Sequence, residues 1–268
     1  MRLGSSIGSV GIDAVLTIAA LVLSGASVII TGLFSVRTAR LASELDAERE
    51  QRLEAQSALK AAERVYEPLA MAAAELQSRI FNIVETGWVP LVQRYKSHGD
   101  YAVTSTAYLF ANYFGWIEAR RQAVLSSSGE GGRDIAVQRL IDVVLQTLRR
   151  SEHSEGFLFF TTEQRAIGEL MLSWETADAG ARIPRVMGYA SFAARFRDDE
   201  DFRGWFTPVD SGMALVAGGD HRRLIEIQRA LVALIDELDP KRRYTVGYDL
   251  APIEPDAGSA APGAPGAS

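Results

Sequence analysis

The densest group of polar side chains inside otherwise apolar sequence is Glu163, Gln164, Arg165 and Glu169, in the phrase TTEQRAIGEL. On a helix, Arg165 and Glu169 are an i,i+4 pair with the base preceding the acid, the weaker order for a helix pair. Two further sets stand beside apolar stripes: Gln77 and Arg79 with Asn82 nearby, and Glu118 with Arg121. Brought together, Arg79, Glu118, Arg121, Arg165 and Glu169 would make one of two things. Open to solvent with one group unneutralised, they line a ligand pocket for a sensor or an enzyme. Sealed and paired, they are a structural network, because a buried arginine requires an acid. The pairing argument favours the network.

Other reactive residue types are sparse. Asp198, Asp199, Glu200 and Asp201 concentrate negative charge but lack the glycine and alternating spacing of a calcium loop. The three histidines, His98, His153 and His221, have no metal-ligand spacing between them. His153 sits among acids in SEHSE, and His221 precedes two arginines; both read as exposed. With no cysteine, a disulfide framework, a thiolate nucleophile and a cysteine metal site are excluded. No G-x-S-x-G, Walker, H-E-x-x-H or dinucleotide pattern occurs, so the sequence implies no cofactor, no metal and no catalytic residue. A net charge of −6 argues against a nucleic-acid footprint.

The elements that must position these groups begin with an uncharged run of 21 residues, 14–34, AVLTIAALVLSGASVIITGLF. As a helix it is about 30 Å long, the thickness of a bilayer's hydrocarbon core. Residues 14–36 are read as a transmembrane helix behind a short tail, 1–13. A signal peptide would have a shorter apolar core and a small-residue cleavage site. Only Arg2 precedes the run, whereas Arg37, Arg40, Arg49 and Arg52 follow it, which predicts the N-terminus outside and the C-terminal side in the cytoplasm. Within it Thr17, Ala20, Ser24, Ser27 and Thr31 recur at 3-4 spacing, a face suited to helix association in lipid.

Residues 37–65 form a charged stalk rich in Ala, Glu, Arg and Leu, without Gly or Pro, and therefore helical. Its 3-4 seam passes through Leu41, Leu45 and Leu59, but Glu48 and Arg52 interrupt it, so any coiled coil is weak. From 66 to 244 the apolar residues recur at helical spacing and predict an all-α globular domain. Pro68 is placed in the first turn of its first helix, with Leu69, Ala72, Ala73, Leu76, Ile80 and Ile83 as the buried stripe.

Gly87 and Pro90 break that helix. Residues 101–117 carry no charge, yet Thr104, Ser105, Thr106, Asn112 and Gly115 make them costly in lipid; they read as the central buried helix, with Glu118, Arg120 and Arg121 following as it emerges. Helices are further expected at 134–150, 161–174 (capped by Thr161 with Gln164), 189–196, briefly at 202–206, and at 221–238. The segment 249–268 is Pro-, Gly- and Ala-rich and reads as a disordered tail.

The anchor-plus-stalk arrangement and the phrases ELQSRIFNI, YFGWIEARR, EQRAIGEL and ALVALIDELDP resemble an uncharacterised group of bacterial single-pass membrane-anchored helical proteins, over residues 14 to about 243. The resemblance implies the bacterial inner membrane and no activity. The functional expectation is a membrane-tethered interaction or scaffold module facing the cytoplasm. Its partners would be the bilayer, another protein, and a second copy of the chain through anchor and stalk. The alternative is a small-molecule sensor or enzyme.

Overall fold

The computed structural model describes residues 37, 40, 42–53, 64–95, 100–125, 132–151, 156–176 and 182–254. The anchor and its association face, residues 54–63 of the stalk, His98, His153 and the tail from 255 lie outside the described residues. The chain divides into two compact units, 1–57 and 58–268. In the first, 42–53 is an exposed helical stretch with i,i+3 and i,i+4 ion pairs, Asp46–Arg49 at 3.8 Å and Glu48–Arg52 at 3.4 Å.

The second unit is mostly helical. Helix α1 is described over 64–85 and buries Val65, Leu69, Ala73, Leu76, Ile80 and Ile83, each at most 3% exposed. It runs through Pro68 instead of starting there, because the buried stripe already begins at Val65. Gly87, in the left-handed region at φ 63°, ends it, and α2 (Trp88–Tyr95) resumes the helical path.

The central helix α3 (Tyr101–Leu125) continues eight residues past the uncharged run. Both Phe110 and Phe114 are buried in it, in ring contact with Phe159. Glu118 and Arg120, expected where the helix emerges, are instead only 3% and 5% exposed, held by polar partners described below. Helix α4 (Gly132–Arg149) buries Val137, Ile141, Val144 and Leu148 and packs on α9 (Arg222–Leu238), which buries Leu224, Ile227, Leu231, Leu234 and Ile235.

The expected helix over 161–174 is shorter than its apolar spacing suggests. Helix α5 (Thr161–Met171) gives way at Leu172 to strand β1 (Leu172–Thr176), which pairs antiparallel with β2 (Arg182–Val186) in the register Leu172 to Val186 and Trp174 to Pro184. Trp174 and Thr176 favour a strand. Pro184, unable to donate a ladder bond, is tolerated in a two-stranded hairpin, which has only edges. The helix start also differs. Phe160 is the N-cap, and its N–H donates to Glu163 Oε2 at 2.7 Å, the reciprocal half of a capping box. Gln164 turns inward, donating to the carbonyls of Phe159 (2.8 Å) and Leu145 (3.0 Å).

Helix α6 (Tyr189–Asp198) and the short α7 (Glu200–Gly204) close a phenylalanine cluster of Phe192, Phe196, Phe202 and Phe206. The acidic run is part of this joint: Asp199 accepts from Phe202 N–H at 2.9 Å and from Arg195 at 3.1 Å. Helix α8 (Thr207–Ala217) was not anticipated, although Pro208 in its first turn and buried Val209, Met213 and Val216 at i, i+4, i+7 carry the signal.

After α9, the buried carboxylate of Asp239 accepts from the N–H groups of Arg243, Tyr244 and Thr245, fixing a turn. Packing extends past 249: Ile253 is 3% exposed, its N–H donates to Gln228 Oε1 at 3.0 Å, and Gln228 Nε2 donates to the Ala251 carbonyl. The side chain of Gln228 thus satisfies backbone that composition alone assigned to the tail.

Candidate functional site

Glu118 lies on the face of α3 against which α5 packs. Gly168 makes the close approach possible; a β-carbon there would stand 3.0 Å from Glu118 Cβ. One helical turn on, Arg121 closes a two-pronged contact, Nε to Oε2 at 2.7 Å and Nη2 to Oε1 at 2.5 Å, and Gln122 donates to Oε1 at 2.7 Å. The Gln122 side-chain oxygen, Oε1, in turn accepts from Trp174 Nε1 at 3.1 Å, tying β1 to α3.

Burial works to raise the Glu118 pKa. The hydrogen bonds from Arg121 and Gln122, with the charges of Arg121 and Arg165, outweigh it and hold the carboxyl below the usual range. Arg121 is pushed up, chiefly by its hydrogen bond to Glu118, with Glu169 adding to the effect. On α5, Arg165 and Glu169 form an exposed pair at 3.0 Å. Four of the five expected site residues, Glu118, Arg121, Arg165 and Glu169, therefore come within electrostatic range of one another at the α3–α5 contact, with alternating signs. Every one has a protein partner.

Arg79 does not join them. It meets α3 at Ser105 and Thr106, about 20 Å along the helix from Glu118 at 1.5 Å per residue. Its Nη1 donates to Ser105 Oγ (2.8 Å) and Thr106 Oγ1 (3.0 Å), and the guanidinium stacks on the Trp88 ring with Cζ 3.8 Å from the centroid. Burial lowers its pKa, opposed by the nearby phenols of Tyr101 and Tyr189. An arginine starts so high that it stays charged. Among the described residues no carboxylate lies within ion-pair distance of it.

Sequence reasoning passed over two buried arginines. Arg120 donates to Gln138 Oε1 and to the Asp134 carbonyl, with the Asp134 carboxylate at 3.7 Å. Arg223, 3% exposed, donates to the carbonyls of Thr147 and Leu148 at the C-terminal end of α4, where the helix dipole favours a cation. Both look like ordinary surface arginines in sequence; Arg120 beside an uncharged run was the available signal. Gln77 is fully buried, and neither end of its amide has a hydrogen-bond partner among the described residues. A shallow cleft of about 130 Å³ between α4 and α5, lined by Asp142, Gln146, Arg149, Thr161 and Gln164, is small for a metabolite. Among the described residues no three His, Asp or Glu side chains are grouped to hold a metal ion.

This is a mostly helical domain built around one central helix, with an ion network at one end of that helix and an isolated guanidinium towards the other. No protein-family model, no curated protein and no solved structure matches the chain.

Proposed function

We propose that the chain is a single-pass inner-membrane protein whose anchor, residues 14–36, holds a helical interaction module at the cytoplasmic face. The observation that carries this reading is the uncharged run 14–34 followed at once by the arginine-rich stalk. The resemblance to membrane-anchored helical proteins supports it as well. Among the described residues no helix is long and apolar enough to cross a membrane. The module engages a protein partner, and the Thr17–Ala20–Ser24–Ser27–Thr31 face with the stalk brings copies together in lipid.

The test places epitope tags at both ends and shaves intact cells, stripped of their outer membrane, with protease. Loss of the N-terminal tag and survival of the C-terminal one is expected; the reverse pattern overturns the orientation. Affinity capture from detergent-solubilised membranes, with and without residues 41–65, then tests the module. Turnover of a metabolite with no captured partner would discard the interaction reading. The alternative, a small-molecule sensor, is favoured by one observation: the guanidinium of Arg79 with no acid to neutralise it.

A further inference from the structure

We propose that Arg79 is the anchor of a binding site for a small monocarboxylate, set where α1, α2, α3 and the start of α6 meet. The inference gives the sensor alternative a definite place and ligand class. It fails separately from the tethering reading, which the tag experiment decides.

The geometry supplies a prepared donor edge. Ser105 and Thr106 hold Nη1 from one side, and Ser105 is itself fixed by donating to the Tyr101 carbonyl at 2.6 Å. Trp88 covers one face of the guanidinium plane. Those contacts leave Nε and Nη2, which have no hydrogen-bond partner among the described residues, on a half-buried side chain. Two parallel N–H groups in a fixed plane match the two oxygens of a carboxylate.

The local charge is uncompensated. Glu75, one helical turn back on α1, turns instead to Asn112 Nδ2 at 3.4 Å. Asp100 pairs with Arg203 at 3.9 Å. Residues 96–99, between α2 and α3, contain no Asp or Glu. A half-desolvated cation without an acid is costly, and a bound anion offsets that cost.

The surroundings select the class. Tyr189 stands close enough to feel the Arg79 charge, and burial raises its phenol above its ordinary value, so it remains a proton donor at neutral pH. Trp88 stacks on the guanidinium and Tyr189 stands near it, backed by Tyr108 in edge contact at 5.3 Å, which favours an acid carrying a flat apolar body.

The experiment titrates the purified full-length chain with benzoate, acetate and inorganic phosphate at constant ionic strength, by calorimetry and by following the Arg79 Nε–H resonance. Benzoate is expected to bind saturably, more tightly than acetate and phosphate, and to move that resonance. Arg79→Gln should weaken benzoate binding roughly tenfold or more, the value of a charge-assisted bond. Arg79→Lys keeps the charge and the stem but loses the planar fork, so it should also bind weakly while retaining the far-UV circular dichroism of the parent. Absence of saturable benzoate binding, phosphate binding as tightly as benzoate, or undiminished binding by folded Arg79→Lys would each overturn the proposal.

Discussion

Gly168 of α5 lies against the Phe114 carbonyl of α3 so closely that a β-carbon on it would fall 2.7 Å from that oxygen. The neighbour is backbone inside a packed helix and has nowhere to go. Gly168→Ala should therefore destabilise the domain by about 1–3 kcal/mol, the usual cost of overpacking, although alanine is the better helix former by about 1 kcal/mol. Gly115→Ala is the control. Its β-carbon would meet Val186 Cγ1 at 2.8 Å, a methyl on the half-buried β2 that can turn away, and Met171 Cβ at 3.1 Å, so the clash is with side chains and not with a helix carbonyl. Chemical denaturation should show the larger loss for Gly168→Ala; equal losses would mean that the α3–α5 contact is not held by that close approach.

Asp239 makes an acid-sensitive joint at the end of α9. Burial works to raise its pKa, but the N–H groups of Tyr244, Arg243 and Thr245 and the Thr245 hydroxyl outweigh it and hold the carboxyl below its ordinary value. A depressed folded pKa means stability that is present above about pH 4, the unfolded value, and lost as pH falls below it. Asp239→Asn keeps the shape but replaces one accepting oxygen by a donor facing N–H groups. It should cost about 1–3 kcal/mol at neutral pH and flatten the loss of stability below pH 4. Thermal melts of parent and variant between pH 3 and pH 7 check this; curves that stay parallel throughout would remove Asp239 from the acid response.

Periodic apolar stripes located α1, α4 and α9, because burial of one helix face leaves a 3.6-residue signature, whereas α3 stood out as an uncharged run. They overran α5, since Trp174 continues the helical spacing of Ile167, Leu170 and Met171 while serving as a residue of a strand. Long-range pairing decided between the two periods, and no local pattern reports it. The site was legible in part for a similar reason. Arg165 and Glu169 meet within one helix, and Glu118 and Arg121 within another, so spacing alone pairs them. That Arg79 joins Ser105, Thr106 and Trp88 instead depends on how α1, α2 and α3 dock. Arg223 reaching the end of α4, 75 residues earlier in the chain, depends on the α4–α9 contact in the same way.

Gln77 is a polar side chain in the middle of the α1 stripe, fully buried, with both amide ends lacking a hydrogen-bond partner among the described residues. A buried amide without partners forfeits its hydration, and an apolar residue of similar size does not. Gln77→Leu should therefore raise stability by about 1–2 kcal/mol in denaturant titration, with unchanged helicity. Destabilisation instead would show that the amide has a role that outweighs its desolvation.

Glu75 should make the domain's stability fall as pH rises, the opposite of Asp239. Burial raises its pKa, only partly countered by the long hydrogen bond from Asn112. A carboxyl whose folded pKa exceeds its unfolded value binds its proton more tightly in the native state. Its favourable contribution is complete below the unfolded value of about 4.3 and is lost as pH rises through the folded pKa. Above that window the ionised carboxylate remains in a half-buried place beside Tyr108 and Tyr248, whose phenols its charge helps to push up. Glu75→Gln keeps the size and the acceptor for Asn112 but has no charge to bury. The variant should match the parent at pH 4 and exceed its stability at pH 7, with a difference that opens as pH rises from about 4.3 and then levels. Denaturant midpoints across that range measure the difference. A gap that closes with rising pH would mean that the Glu75 charge is stabilised in the folded domain, and that it, instead of a ligand, supplies the negative field near Arg79.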